Sequence, residues 1–278
     1  MKKKKSKKNL LKQAINYLKE SRRPIYAIII LFLLSIMFGF INAESLAQTL
    51  NPILENIIEQ TANLKVISLI IYIFQNNTLA SSITLGLGVI LGIFPLMATL
   101  YNGIVLGYVL ERIAQISFLE WWRLLPHGIF EFIAIFISLG LGLRLGGQFL
   151  TNYLKYYQKK QLLIWVPAFI TILIILITLL STLISGRIPN QDLIENGNIA
   201  LSNPFILGLL VIIFVTLNFA QTFLLFIIIT FITNKELRKV QLTSFKGNLY
   251  FSLLIFILII LPLLIIAAII EGILISVL

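Results

Sequence analysis

The chain has no cysteine and a single histidine, His127. The first absence excludes disulfides and thiolate metal centres, and it leaves the redox compartment open. One histidine without cysteine is too few for a zinc site, which takes three or four protein ligands. No metal and no cofactor is therefore expected. Charge is also scarce: 12% of the 278 residues are Asp, Glu, Lys or Arg, against 59% hydrophobic residues. Mean hydropathy is +0.99. An ordinary soluble domain carries about 25% charged residues, so this composition excludes one.

What the chain has in quantity is long apolar runs. Residues 24–43, 162–185, 204–233 and 249–270 each reach the roughly 20 residues that a helix needs to cross a bilayer. Their apolar residues are continuous, whereas the strands of a membrane barrel alternate polar and apolar. A helix satisfies its own backbone hydrogen bonds in hydrocarbon. The fold class is thus all-α, a polytopic transmembrane bundle of about six to seven spans.

Positive charge is concentrated at one end. The first 23 residues carry ten Lys or Arg and one Glu, a net of +9 out of +11 for the whole chain. Such a tail next to a span is a cytoplasmic topology signal drawn to anionic lipid of the inner leaflet. It lacks the interleaved aromatics of a nucleic-acid arm, and no nucleic-acid partner is expected. Leu11, Ala14, Ile15 and Leu18 recur at helical spacing, so residues 9–23 suit a short amphipathic helix on the membrane surface. The run 24–43 exceeds the 7–15 apolar residues of a usual signal peptide core and reads as an uncleaved anchor.

Loop charges alternate in sign. Residues 42–65 carry −2, 144–161 carry +4, 186–203 carry −1 and 234–248 carry +3. The positive-inside rule then puts the N-terminus, 144–161 and 234–248 in the cytoplasm, with 42–65, 186–203 and the C-terminus outside the plasma membrane. Three portions follow: a tail at 1–23, a first span with a glycine-rich core at 24–161, and a C-terminal three-helix portion at 162–278.

The core, at about 66–147, is the distinctive part, because ten of the sixteen glycines lie between Gly86 and Gly147. It must cross an odd number of times, yet its apolar pieces are irregular. Residues 66–74 are short, and 79–110 run 32 residues without a charge, interrupted by Pro95 and by Asn102-Gly103. Three crossings with a broken or re-entrant segment fit best, as in the interrupted helices of transporter sites. Gly88 with Gly92, Gly103 with Gly107, and Gly142 with Gly146 are small-xxx-small pairs that let helices approach closely. The strings GLGVILG and GLGLRLG lack the GxGxxG spacing and the preceding strand of a nucleotide loop.

Asn77, Asn102, His127, Glu131 and Arg144 lie in or beside segments that enter the bilayer. Polar groups there are expensive and seek partners. His127 and Glu131 share a face if a helix begins near Pro126, and Trp121, Trp122 and Arg123 resemble an interfacial belt. The expectation is that Asn77, Asn102, His127 and Glu131 converge on one buried cluster. That cluster serves polar packing between helices or a partner or ligand site; catalysis would need a nucleophile that the sequence does not place.

Asn76-Asn77, then LGLGVILGIFPLMATLYNGIVLG from Leu85 to Gly107, then LLPHGIFEFIAIFISLGLGLRLG from Leu124 to Gly146 resemble the stage II sporulation protein M family. Its members are polytopic membrane proteins with an asparagine ahead of a glycine-rich span, an NGxxxG element and a PHGxxE element. Here these fall at Asn77, at Asn102, Gly103 and Gly107, and at Pro126, His127, Gly128 and Glu131. The string AAIIEGILI, from Ala267 to Ile275, resembles the closing segment of the family, with Glu271 as its polar residue. The resemblance implies a membrane scaffold for a cell-wall-degrading complex, and not the hydrolase itself.

Two functions are consistent with these features. One is a non-enzymatic scaffold whose core docks another membrane or envelope protein, or a second copy of this chain. The other is a transporter-like component with a path through the core. Coupled transporters bury several ionisable residues, whereas the long spans here carry only Glu271. That favours the scaffold.

Overall fold

The computed structural model describes residues 7–89, 92–116, 125–157, 228 and 231–277. The apolar runs at 162–185 and 204–233 fall outside these, apart from Ile228 and the last residues of the second. Every element among the described residues is helical: α1 Lys7–Glu20, α2 Arg22–Ile41, α3 Ala43–Ala62, α4 Val66–Leu87, α5 Ile93–Ile116, α6 Leu125–Tyr157, α7 Lys235–Ile255 and α8 Leu261–Val277. Five stretches among them are long and apolar enough to cross a membrane: Arg22–Ile41, Val66–Leu87, Ile93–Gln115, Pro126–Asn152 and Arg238–Ser276. The protein is an all-helical membrane protein.

The sequence reading misplaces several boundaries. Residues 42–65, expected as a loop, contain the 20-residue helix α3. The positive stretches at 144–161 and 234–248 are helical as far as Tyr157 and from Lys235 onward, respectively. The core helices are longer than their apolar runs. Polar residues such as Gln75, Asn76 and Asn77 continue α4, because a helix satisfies its own backbone hydrogen bonds whatever side chains it carries; Gln75 and Asn76 are exposed. The break between helices falls after Leu87 and before Ile93, whereas Pro95 and Asn102-Gly103 both lie inside α5.

That break corrects the reading of one glycine pair. Gly88 caps α4 and Gly92 lies in the turn before α5 with φ +74°, so the two do not share a helical face. Only glycine adopts that conformation without strain. Pro95 then falls in the first turn of α5, where its missing N–H costs nothing. A second irregularity is the π-helical turn Phe256–Ile260, which joins α7 to α8. Pro262 follows it. Proline cannot donate to the carbonyl four residues back and its ring clashes there, and a widened turn relieves both conflicts.

The chain forms two compact units, Met1–Leu150 with Thr243–Leu278, and Thr151–Leu242. In the second, the amide of Asn152 donates to Gln241 at 3.4 Å. The first holds the core. There α2 and α5 run parallel, since Gly103 meets Ser35 and the Phe32 carbonyl, while Gly107 meets the Ile36 carbonyl and Phe40. Gly39 of α2 meets the backbone of Ile104 in return. A Cβ at any of these three positions would collide with main chain, so close backbone approach is the reason for glycine. α4 and α6 are also parallel: Ser138 Oγ donates to the Ser81 carbonyl at 2.8 Å, and Gly88 lies against Gly142. Gly142 and Gly146 are both buried in α6.

α6 runs against α2, with the Phe32 ring 5.6 Å from Phe132 and 5.1 Å from Phe136. Ala14 and Tyr17 of α1, Leu141 and Leu145 of α6, and Ile255, Ile260 and Leu264 of the C-terminal helices close a common apolar core. Leu69 and Ile73 of α4 pack on Ala268 of α8. These pairings put Ser21, the break between α4 and α5, Arg144 and Ser252 at one end of the unit. The starts of α4 and α6 and the end of α8 lie at the other, together with α3.

Candidate functional site

Proline is favoured in the first turn of a helix, and Pro126 stands at the second position of α6. One turn of helix then stacks His127 and Glu131 on a shared face. The parallel pairing of α4 with α6 brings Asn77 beside them, and its side-chain amide donates to Glu131 Oε1 at 2.9 Å. The last helix, α8, adds Glu271. One ligating atom each from His127, Glu131 and Glu271 lie within 4.8 Å of one another. His127 Nδ1 is buried and has no hydrogen-bond partner among the described residues.

Beside this group lies a cavity of about 100 Å³, lined by Asn76, Asn77, Ser81, Thr84, Asn102 and Glu131 among others. Asn102 thus faces the same space, but its amide donates to the Ala98 carbonyl of its own helix at 2.8 Å. Folding therefore sets Asn77, His127 and Glu131 together, each half-buried, with Asn102 exposed on the cavity wall. Glu271 is the member that sequence reasoning left out of the cluster. Its signal was its isolation as the only ionisable side chain of a long apolar run, but spacing cannot tie it to a helix so distant in sequence. Folding sets two glutamates beside the single histidine. Trp121, Trp122 and Arg123 fall outside the described residues.

Arg144 works at the opposite end of α6. Its guanidinium lies 3.9 Å over the Tyr17 ring. It donates to the Tyr17 carbonyl and to Ser21 Oγ, each at 2.7 Å, and to Glu20 at 2.9 Å. Ser21 Oγ in turn donates to the Tyr17 carbonyl at 2.7 Å. The arginine therefore ties α6 to the last turn of α1, adding a donor to the Tyr17 carbonyl that the Ser21 N–H also reaches at 3.0 Å. Burial pushes the Tyr17 phenol above its ordinary value, opposed by its hydrogen bond with Ser252 and by the Arg144 charge. A second polar link ties α3 to α5: Arg112 donates to Glu44 at 3.1 Å, and the Tyr108 hydroxyl donates to Asn51.

A family described as stage II sporulation protein M matches residues 28–189, more than half of the chain. The chain belongs to that family. The match begins in α2 and covers α3 to α6, hence Asn77, Asn102, His127 and Glu131, and it ends before Glu271. A protein of Methanocaldococcus jannaschii, described as uncharacterized, is 28% identical over 180 residues, 60% of this chain and 79% of that protein. No solved structure matches the chain. The membrane-protein nature of the family agrees with the five apolar helices.

Proposed function

We propose that this protein is a non-enzymatic membrane scaffold that docks or organises another membrane or cell-envelope protein. The observation that carries the reading is how the core closes. Glycines in α2, α5 and α6, with Gly88 just after α4, bring helix backbones together. The polar side chains turn toward one another around a cavity of about 100 Å³. That volume suits a few waters or a small ion, whereas small-molecule sites run to about 300–1,000 Å³. Close helix packing and a polar cavity this small among the described residues favour a docking platform over a solute path, and the scaffold role implied by the family resemblance agrees with it. In this reading the N-terminus is cytoplasmic, with its Lys/Arg tail on anionic lipid, and the C-terminus is outside.

Cross-linking in intact cells, extraction in mild detergent and mass spectrometry test the proposal. A defined envelope or membrane protein, or a second copy of the chain, should co-purify in fixed ratio. Solute flux through proteoliposomes of the purified protein, with no such companion, would overturn the scaffold reading in favour of the transporter.

A further inference from the structure

We propose that His127, Glu131 and Glu271 form a divalent-cation site that clamps α6 to α8. The three side chains come from two helices far apart in sequence, and their ligating atoms lie within 4.8 Å of one another. Around an ion bound at about 2.0–2.2 Å, ligand atoms at tetrahedral angles lie about 3.3–3.6 Å apart. Closing the present set onto an ion therefore takes rotamer adjustments on the order of 1 Å, within reach of two glutamate side chains.

Two further observations point the same way. His127 Nδ1 is buried with no partner among the described residues, so the imidazole has a ring nitrogen that the protein leaves unused. Asn77 holds one oxygen of Glu131 from the α4 side at 2.9 Å, which fixes the orientation of the carboxylate and leaves further lone pairs free. Hydrogen-bonded partners of this kind orient the ligands of metal sites.

Charge makes the same case. Two carboxylates side by side in an apolar surrounding repel each other, and buried charge persists where it is paired or binds a metal. A divalent ion neutralises both at once. The donor set of one imidazole nitrogen and two carboxylates suits Zn²⁺ or Mn²⁺ better than a calcium site, which is built from oxygen alone. With three protein ligands, the ion would keep a position open to water or to a partner. The inference stands apart from the scaffold reading: a protein without a docking partner could still hold the ion, and a scaffold could dock without it.

The test uses the full chain in lipid nanodiscs, stripped with a chelator and then dialysed against Zn²⁺ or Mn²⁺. Bound metal is measured by elemental analysis and thermal stability by Tm. One ion per chain should be retained, with a rise in Tm. Glu271→Gln keeps the shape but removes the charge, and it should abolish both retention and the Tm response, as should His127→Gln. Asn77→Ala should weaken binding about 10–100-fold. Glu55→Gln, on the exposed face of α3, should bind like the wild type. The wild-type measurement decides even if a variant fails to fold: negligible metal on the intact chain overturns the proposal. So does equal retention by folded Glu271→Gln, or a wild-type Tm that follows pH but ignores both ions, which would assign a shared proton instead.

Discussion

At the scale of single residues, the polar side chains of this protein divide by burial rather than by type. Arg144 and Glu20 form an ion pair, but the Arg144 side chain is 18% exposed and that of Glu20 is 67% exposed. An exposed pair contributes about 0–1 kcal/mol, whereas charged hydrogen bonds to partly buried groups contribute about 1.5–3 kcal/mol. The arginine therefore matters through Tyr17 and Ser21, not through Glu20. Arg144→Gln should speed amide exchange across α1, while Glu20→Gln leaves it near wild type. Equal effects of the two would show that the ion pair holds the helix. The Tyr17 phenol supplies a separate readout, of the burial of α1 against its neighbours. Its raised pKa contributes stability below the ordinary tyrosine value of about 10, which is lost as pH climbs through the folded value, so α1 should loosen only in strong alkali.

At the scale of helices, glycine has two roles that sequence alone does not separate. At Gly39, Gly103 and Gly107 an added Cβ meets backbone, whereas at Gly247 it meets nothing within 4 Å. Gly103→Ala or Gly107→Ala should therefore lower Tm in detergent, with overpacking of this kind costing about 1–3 kcal/mol. Gly247→Ala should raise it, because a helical glycine gives up about 0.5–1 kcal/mol relative to alanine. The same sign at all three positions would remove the packing argument. The span α2 was legible because it is apolar on every side, whereas in sequence α5 reads as interrupted at Pro95 and Asn102-Gly103, both of which it contains. The break between α4 and α5 was not legible. GLGVILG contains no proline or charge, and a left-handed residue at Gly92 is visible only once φ is known.

At the scale of the whole molecule, the described spans pair so that α1 and the end of α8 lie at opposite ends of their unit. Absolute orientation rests on charge: the tail and 144–161 are basic, while 42–65 is acidic. The absence of cysteine allows single cysteines to report it without removing a native one. Asn63→Cys and Lys155→Cys both fall at exposed positions. An impermeant maleimide applied to intact cells should label the first and spare the second. The opposite pattern would invert the topology and with it the assignment of the tail to anionic inner-leaflet lipid.

The sequence by itself determined the solvent of this protein. Uninterrupted apolar runs, scarce charge and a basic end leave a helical bundle in a bilayer as the physical solution, and the family motifs lie in its core. It also marked Asn77, His127 and Glu131, because a polar group in hydrocarbon stands out against its neighbours. Only the tertiary structure decided what these groups meet. Helix pairing, which depends on side-chain shape across segments far apart in the chain, placed Asn77 on Glu131, turned Asn102 to its own helix and delivered Glu271 to His127. Periodicity describes one helix at a time, and a contact between two helices has no period to read.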